Sequence, residues 1–234
     1  MNSEYLHPVY KFQPSFGRRK SRRIEGERAE LMEHLFPTLH ITPPKDSSKI
    51  NLNTYFDTTK EIWLEIGFGA GEHLASQATN NPDIGFIGCE PFIDGVAKLL
   101  VTIDEQKLNN IKLFDDDARI LLDALPDSCL SRIFVLFPDP WRKPRHYKRR
   151  IINPETLDMF ARIMKKGGTL RLATDHQNYA EWMLEHMMAD KRFEWQASEP
   201  RDWHTLPDDW VVTRYNEKAN EEGRTPYIFN FILY

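Results

Sequence analysis

The first stretch with chemistry in it is Glu65-Ile66-Gly67-Phe68-Gly69-Ala70-Gly71-Glu72, three alternating glycines ahead of a helix-forming segment. Such glycines let a chain turn sharply and bring its backbone against a ligand, and the next helix offers free N–H groups beside it. The G-x-G-x-G pattern serves dinucleotides and S-adenosyl-L-methionine (AdoMet) alike. Glu90 follows Gly67 by 23 residues, where a carboxylate can accept hydrogen bonds from both hydroxyls of a ribose. Asp115-Asp116-Asp117 leaves three readings open: a contact to an adenine amino group, a metal site, or a solvated acidic turn. No clustered His or Cys accompanies it, so no metal is expected. The lysine and hydroxyl of a Walker loop are missing, which disfavours a nucleotide-hydrolysing enzyme.

A second constellation is Phe137-Pro138-Asp139-Pro140-Trp141. A carboxylate bounded by two prolines has few backbone conformations, which suits the positioning of a reactant; the bland alternative is a rigid surface turn. Six basic residues follow between Arg142 and Arg150, with no acid among them. A further seven lie between Lys11 and Arg28, densest at Arg18, Arg19, Lys20, Arg22 and Arg23. Either run alone is more often a solvated face; with two in one chain, a solvated face and a surface that tracks a phosphate backbone are equally good readings. Trp141, His146 and Tyr147 are equally suited to stacking on a base and to ordinary packing.

The elements that must position these residues alternate. Strands are predicted at 61–66, 84–89, 111–114, 132–137 and 169–173, with helices at 71–78, 92–108, 119–125, 154–164 and 178–188. Alternation of this kind gives a mostly parallel sheet covered on both faces. Lys166-Gly167-Gly168 reads as a turn, 138–152 as a polar insertion and 198–210 as a loop. A short helix is expected over 214–221, and 193–195 and 226–234 as late strands, the last one antiparallel. Ahead of the sheet, a basic arm and a helix that ends before Pro37 occupy 1–36, a connection spans 37–60, and the main domain is 61–234.

At 234 residues the chain is long enough for a substantial core. Its net charge of −4 makes any nucleic-acid surface local rather than general. Cys89 and Cys129 are expected as buried free thiols. No apolar run approaches the roughly 20 residues needed to span a bilayer, and the first residues lack the apolar core of a secretory signal. A cytoplasmic protein with no membrane partner is the expectation.

Taken together, E-I-G-F-G-A-G-E at 65–72, G-C-E-P-F at 88–92, G-V-A-K-L-L at 95–100, F-P-D-P-W-R-K-P-R-H-Y-K-R-R at 137–150, A-T-D at 173–175 and T-R-Y-N at 213–216 resemble the bacterial tRNA (guanine-N7)-methyltransferase family. The similarity covers about residues 15–234, and the long basic stretch is its most specific part. The resemblance implies an α/β, Rossmann-like, class I AdoMet-dependent fold with seven strands, the last one antiparallel. It implies AdoMet contacts from Glu65, Glu90, Asp117 and Asp139 and from the backbone around Gly67, Gly69 and Gly71. It implies tRNA as partner, with Lys143, Asp175, Thr213, Arg214, Tyr215 and Asn216 on the substrate side. Arg18, Arg19, Arg22, Arg23, Arg145, Lys148, Arg149 and Arg150 are then expected on the RNA. The family's usual residue at position 216 is Glu, and this chain has Asn216 beside Glu217.

The expected chemistry is methyl transfer to N7 of guanine, with Asp139 as the catalytic carboxylate and position 46 of the variable loop as the implied site. Two other classes compete. An NAD-dependent oxidoreductase would need a proton donor such as a Tyr-x-x-x-Lys pair, which the chain lacks. A non-catalytic RNA-binding protein would have no reason to keep acids at 65, 90, 117, 139 and 175.

Overall fold

The computed structural model describes residues 19, 23–46, 48–56, 61–211, 223 and 225–234. Expectations for Arg18, Arg22, Thr213–Asn216 and the helix over 214–221 fall outside them. The chain divides between Pro126 and Asp127 into two compact units.

In the first unit, β1 (Ile62–Ile66), β2 (Gly85–Cys89) and β3 (Ile111–Phe114) run parallel in the order β3-β2-β1. Ile66 pairs with Cys89 and Cys89 with Phe114, so all three strands end level. The glycine turn, Glu90 and the triple Asp therefore leave from one edge. Every residue of β2 is buried, as a strand covered on both faces requires.

The helices of this unit are α1 (Glu27–His34), α2 (Phe36–Leu39), α3 (Glu72–Asn80), α4 (Ile93–Gln106) and α5 (Ala118–Ala124). On α4, Val96, Leu99, Leu100 and Ile103 repeat at helical spacing and pack with Leu74, Phe86 and Ile111. The helix α1 ends before Pro37 as expected, but a second, four-residue helix, α2, follows it, and Pro37 belongs to that helix. It sits in the first turn of α2, where its missing N–H costs no hydrogen bond. The predicted connection also packs closely: Ile41, Ile50 and Leu52 are buried, and His40 bridges to Leu113.

In the second unit, β4 (Leu130–Leu136) pairs parallel with β5 (Met164–Thr174). The last strand, β7 (Tyr227–Leu233), lies antiparallel between β5 and β6 (Phe193–Trp195). Helices α6 (Pro154–Ile163) and α7 (Gln177–Ala189) precede and follow β5. An Asn153–Thr156 capping box with Pro154 at the first turn sets where α6 begins. The predicted turn at Lys166-Gly167-Gly168 proves to be an irregularity inside a longer strand. Leu130 pairs with Met164 but Arg132 with Thr169, so the extra residues bulge out, Gly167 at φ 79°.

The strand order of the seven-stranded sheet is β3-β2-β1-β4-β5-β7-β6, with only β7 antiparallel. Cys89 is buried and Cys129 half-buried, both as free thiols. Burial pushes the Cys129 thiol up to about 12 and the Cys89 thiol well above its usual value.

Candidate active site

Gly67, Gly69 and Gly71 all take left-handed backbone, at φ 76°, 60° and 85°. A side chain at Gly71 would meet Leu99 at 2.6 Å, whereas one at Gly67 would project into open space. The open side is where a ligand can approach the turn. Gly95, near the start of α4, lets that helix close on the loop, since a Cβ there would lie 2.2 Å from the Gly69 carbonyl oxygen.

Glu90 holds this turn from β2. Its Oε2 accepts the Gly69 N–H at 2.8 Å and its Oε1 accepts the Phe92 N–H at 2.9 Å. A carboxylate oxygen can accept more than one hydrogen bond, which is what ribose hydroxyls would require of it. Glu65, 3% exposed, places Oε2 2.7 Å from His73 Nδ1. Sequence reasoning misses that partner. A carboxylate and an imidazole eight residues apart, across a strand, a turn and a helix start, form no recognisable pattern.

The three aspartates after β3 have distinct jobs. Asp115 meets His40 Nε2 at 3.1 Å, and that hydrogen bond holds its carboxyl below the usual value. Asp116 accepts from Arg19 Nη1 at 2.8 Å. Asp117 caps α5 by accepting the Arg119 N–H at 3.0 Å and also takes the Arg119 guanidinium in a fork. Arg19, expected on RNA, is tied to the acidic turn, and its carbonyl accepts the Ile93 N–H at 3.0 Å. Arg23 is exposed.

In the second unit, the loop after β4 is held in an unusual conformation. Phe137 and Trp141 both adopt left-handed backbone, at φ 51° and 44°, on either side of Pro138-Asp139-Pro140. Such strain in non-glycine residues persists only where neighbours fix it. The Phe137 N–H donates to Ala173 O at 2.8 Å, and the Phe137 ring packs edge-on against Trp210 at 6.2 Å. Trp141 is covered by the Arg149 guanidinium at 4.9 Å and abuts His146. Asp139 is exposed at the tip, yet its surroundings remove enough water to raise its carboxyl above the ordinary value.

Of the predicted cations, Lys143, Arg145 and Lys148 are exposed and Arg149 is half-buried. Partial desolvation, then Arg149, Arg145 and Lys143, lower the pKa of His146 and favour its neutral form. Arg150 departs from the expectation for an RNA-contacting residue. It is 1% exposed, enclosed by Tyr147, Tyr179 and Trp182, and a guanidinium so enclosed is not presented to a phosphate. Charge counting along a run cannot see that enclosure, because Tyr179 and Trp182 come from α7.

Asp175, at the end of β5, lines a cavity of about 420 Å³ with Gln177, His204, Thr225 and Tyr227. His204 Nδ1 lies 3.1 Å from Pro226 O, and its ring packs against Tyr227 at 4.9 Å. Asp209 bridges Arg132 at 3.0 Å and Arg171 at 2.7 Å, anchoring the chain just before residue 212. Neither His204 nor Asp209 stands out in the sequence, because the neighbours of His204 come from around the start of β7 and those of Asp209 from β4 and β5, all distant along the chain.

The strand order, with its glycine turn and a carboxylate ending β2, defines a class I methyltransferase fold. Solved structures similar in fold include the 16S rRNA methyltransferase KamB, at TM-score 0.56 and 16% identity over 78% of this chain and 91% of that one. The aminoglycoside resistance methyltransferase NpmB1 is similar at TM-score 0.52 and 17% identity, over 78% and 92%. A family profile described as "Putative methyltransferase" matches residues 59–229. A tRNA (guanine-N(7)-)-methyltransferase of Rhodospirillum rubrum is 46% identical over 90% of this chain and 84% of its own length. Its counterpart in Zymomonas mobilis is 44% identical over 99% of both chains. The chain belongs to the tRNA (guanine-N7)-methyltransferase family.

Proposed function

We propose that this protein methylates N7 of a guanine in tRNA with AdoMet as donor, at position 46 of the variable loop, by direct displacement. The observation that carries the reading is the Phe137–Trp141 loop, which presents an exposed carboxylate between two left-handed residues and continues into exposed Lys143, Arg145 and Lys148. The likeness of the chain to relatives that bear this activity in their names supports the same substrate and donor.

The glycine turn fits an AdoMet site: open space lies over Gly67, and Glu90 braces the turn through both carboxylate oxygens. Glu90 would hold the ribose, Asp117 the adenine edge and Glu65 the amino acid end. When bound, AdoMet supplies a methyl group on a positively charged sulfur. Guanine N7 carries an in-plane lone pair at neutral pH, so no base is needed to prepare it. The protein's task is therefore alignment and charge compensation. Asp175 accepts hydrogen bonds from the N1–H and 2-amino edge of the base. A carboxylate cannot bond to unprotonated N7 itself, since both are acceptors. Asp139 orients the base and offsets the positive charge that the purine gains. Lys143, Arg145 and Lys148 bind phosphates and set the register of the RNA, while the pocket selects the base.

Incubation of unmodified tRNA with protein and AdoMet, followed by nucleoside mass spectrometry and site mapping, tests the reading. It predicts 7-methylguanosine at position 46. A different methylated nucleoside, or none, overturns it.

A further inference from the structure

We propose that Arg150 is a positioning residue that sets the direction of the Asp139 carboxylate. The proposal rests on the role given to Asp139 above. The Arg150 guanidinium lies 3.8 Å from the ring centre of Tyr147, 4.7 Å from Tyr179 and 5.0 Å from Trp182. Its Nε donates to Pro140 O at 3.0 Å, and its Nη2 donates to Asn178 Oδ1 at 2.6 Å. Tyr147 also donates its hydroxyl to Asn178 Oδ1, at 2.9 Å. Trp182 is fixed in turn by donating Nε1–H to Ile152 O at 2.6 Å.

A cation taken out of water without a carboxylate beside it is costly. Three aromatic faces and two neutral acceptors offset part of that cost here, while the buried Nη1 has no hydrogen-bond partner among the described residues. What the arrangement accomplishes is specific. The Pro140 carbonyl belongs to the residue after Asp139, and Asn178 stands three residues beyond Asp175, at the start of α7. One planar group therefore ties the support of one carboxylate to the support of the other. The loop it holds is strained at Phe137 and Trp141, so it relaxes if the clamp is removed. Lysine cannot replace the clamp, because a single ammonium neither stacks flat in the cage nor spans both acceptors.

Arg150→Lys should lower kcat by about ten- to a hundred-fold, the cost typical of slight misplacement of a reacting group. The KM for tRNA, the salt dependence of tRNA binding and the AdoMet Kd should stay within about two-fold. Hydrogen exchange should rise in the 137–149 segment and not in the glycine turn. A raised KM with a shallower salt slope and unchanged kcat would make Arg150 a phosphate contact and overturn the proposal. So would a lower Tm with parental kcat, which marks a purely structural role. In single turnover, Arg150→Lys added to Asp139→Asn should cost little beyond Asp139→Asn alone, because one acts through the other. Multiplying losses overturn the Arg150 proposal while leaving Asp139 in place; a fully active Asp139→Asn overturns both. If Arg150→Lys does not fold, Asn178→Ala at an exposed position carries the test. A fall in kcat at constant KM supports the clamp, and an unchanged kcat refutes it.

Discussion

Replacing Glu90 by Gln keeps its size and removes one acceptor oxygen. Both oxygens are engaged by backbone, Gly69 N–H on one and Phe92 N–H on the other, in a residue 8% exposed. The new amide NH2 must face one of those two donors. That donor loses its partner, at about 1–3 kcal/mol, and the surviving bond falls from charged to neutral strength, at about 1 kcal/mol more. The sum of about 2–4 kcal/mol corresponds to a Tm lower by about 5–15 °C for a chain of this length. The same donor group would oppose the ribose hydroxyls, so AdoMet should bind about 10- to 100-fold more weakly. Thermal unfolding and titration calorimetry on the same preparation measure both effects. A folded Glu90→Gln protein with parental Tm and parental AdoMet affinity would refute the double duty assigned to this carboxylate.

Asp139→Asn should reduce the single-turnover rate far more than tRNA affinity. Desolvation raises the Asp139 carboxyl, and the role proposed for it requires the ionised form, so the parental rate should fall on acidification with an apparent pKa above the ordinary aspartate value; the Asn variant should lack that limb. Asp209 is shifted the other way: burial raises its carboxyl, but the Arg171 hydrogen bond and the Arg171 and Arg132 charges outweigh it and hold the pKa low. Its contribution to stability is present above the unfolded pKa of about 3.9 and lost as pH falls through the folded value. Asp209→Asn should cost on the order of 1 kcal/mol at neutral pH, discounted for partial exposure, and almost nothing in strong acid; equal Tm losses at both pH values would remove the ion pairs from the explanation. Arg18/Arg19/Arg22/Arg23→Ala should weaken tRNA binding and flatten its salt dependence, by up to about 0.7–0.9 in slope for each phosphate that is no longer neutralised. A binding isotherm and slope equal to those of the parent would show that the arm does not touch RNA.

Alternation of apolar strands with amphipathic helices is readable in the sequence because it is local. The strands at Ile111–Phe114 and Phe193–Trp195 are located to the residue, and the others within about two, apart from the longer β5. The Lys166-Gly167-Gly168 segment misleads because glycine marks turns only on average, and a five-for-two register step accommodates it inside β5. The stop of α1 before Pro37 is legible, whereas the four-residue helix that takes Pro37 in its first turn is too short to show a period. At the candidate site, the turn at Gly67, Gly69 and Gly71 and the constrained loop around Asp139 are legible because their geometry depends on neighbours in sequence. Arg150 is not, since its cage and its Asn178 partner come from α7 and reclassify a cation from surface to interior. His73, Arg119 and Asp209 share that difficulty: each matters through what folding brings to it.

The most direct test of direct attack by N7 is a tRNA carrying 7-deazaguanosine at the methylated position. That base keeps the N1–H and 2-amino edge assigned to Asp175 and replaces the attacking nitrogen by a C–H. The account predicts tRNA affinity close to that of the unmodified substrate and no methyl transfer to that residue under single-turnover conditions. Methyl transfer to the 7-deaza residue at the normal rate would contradict it.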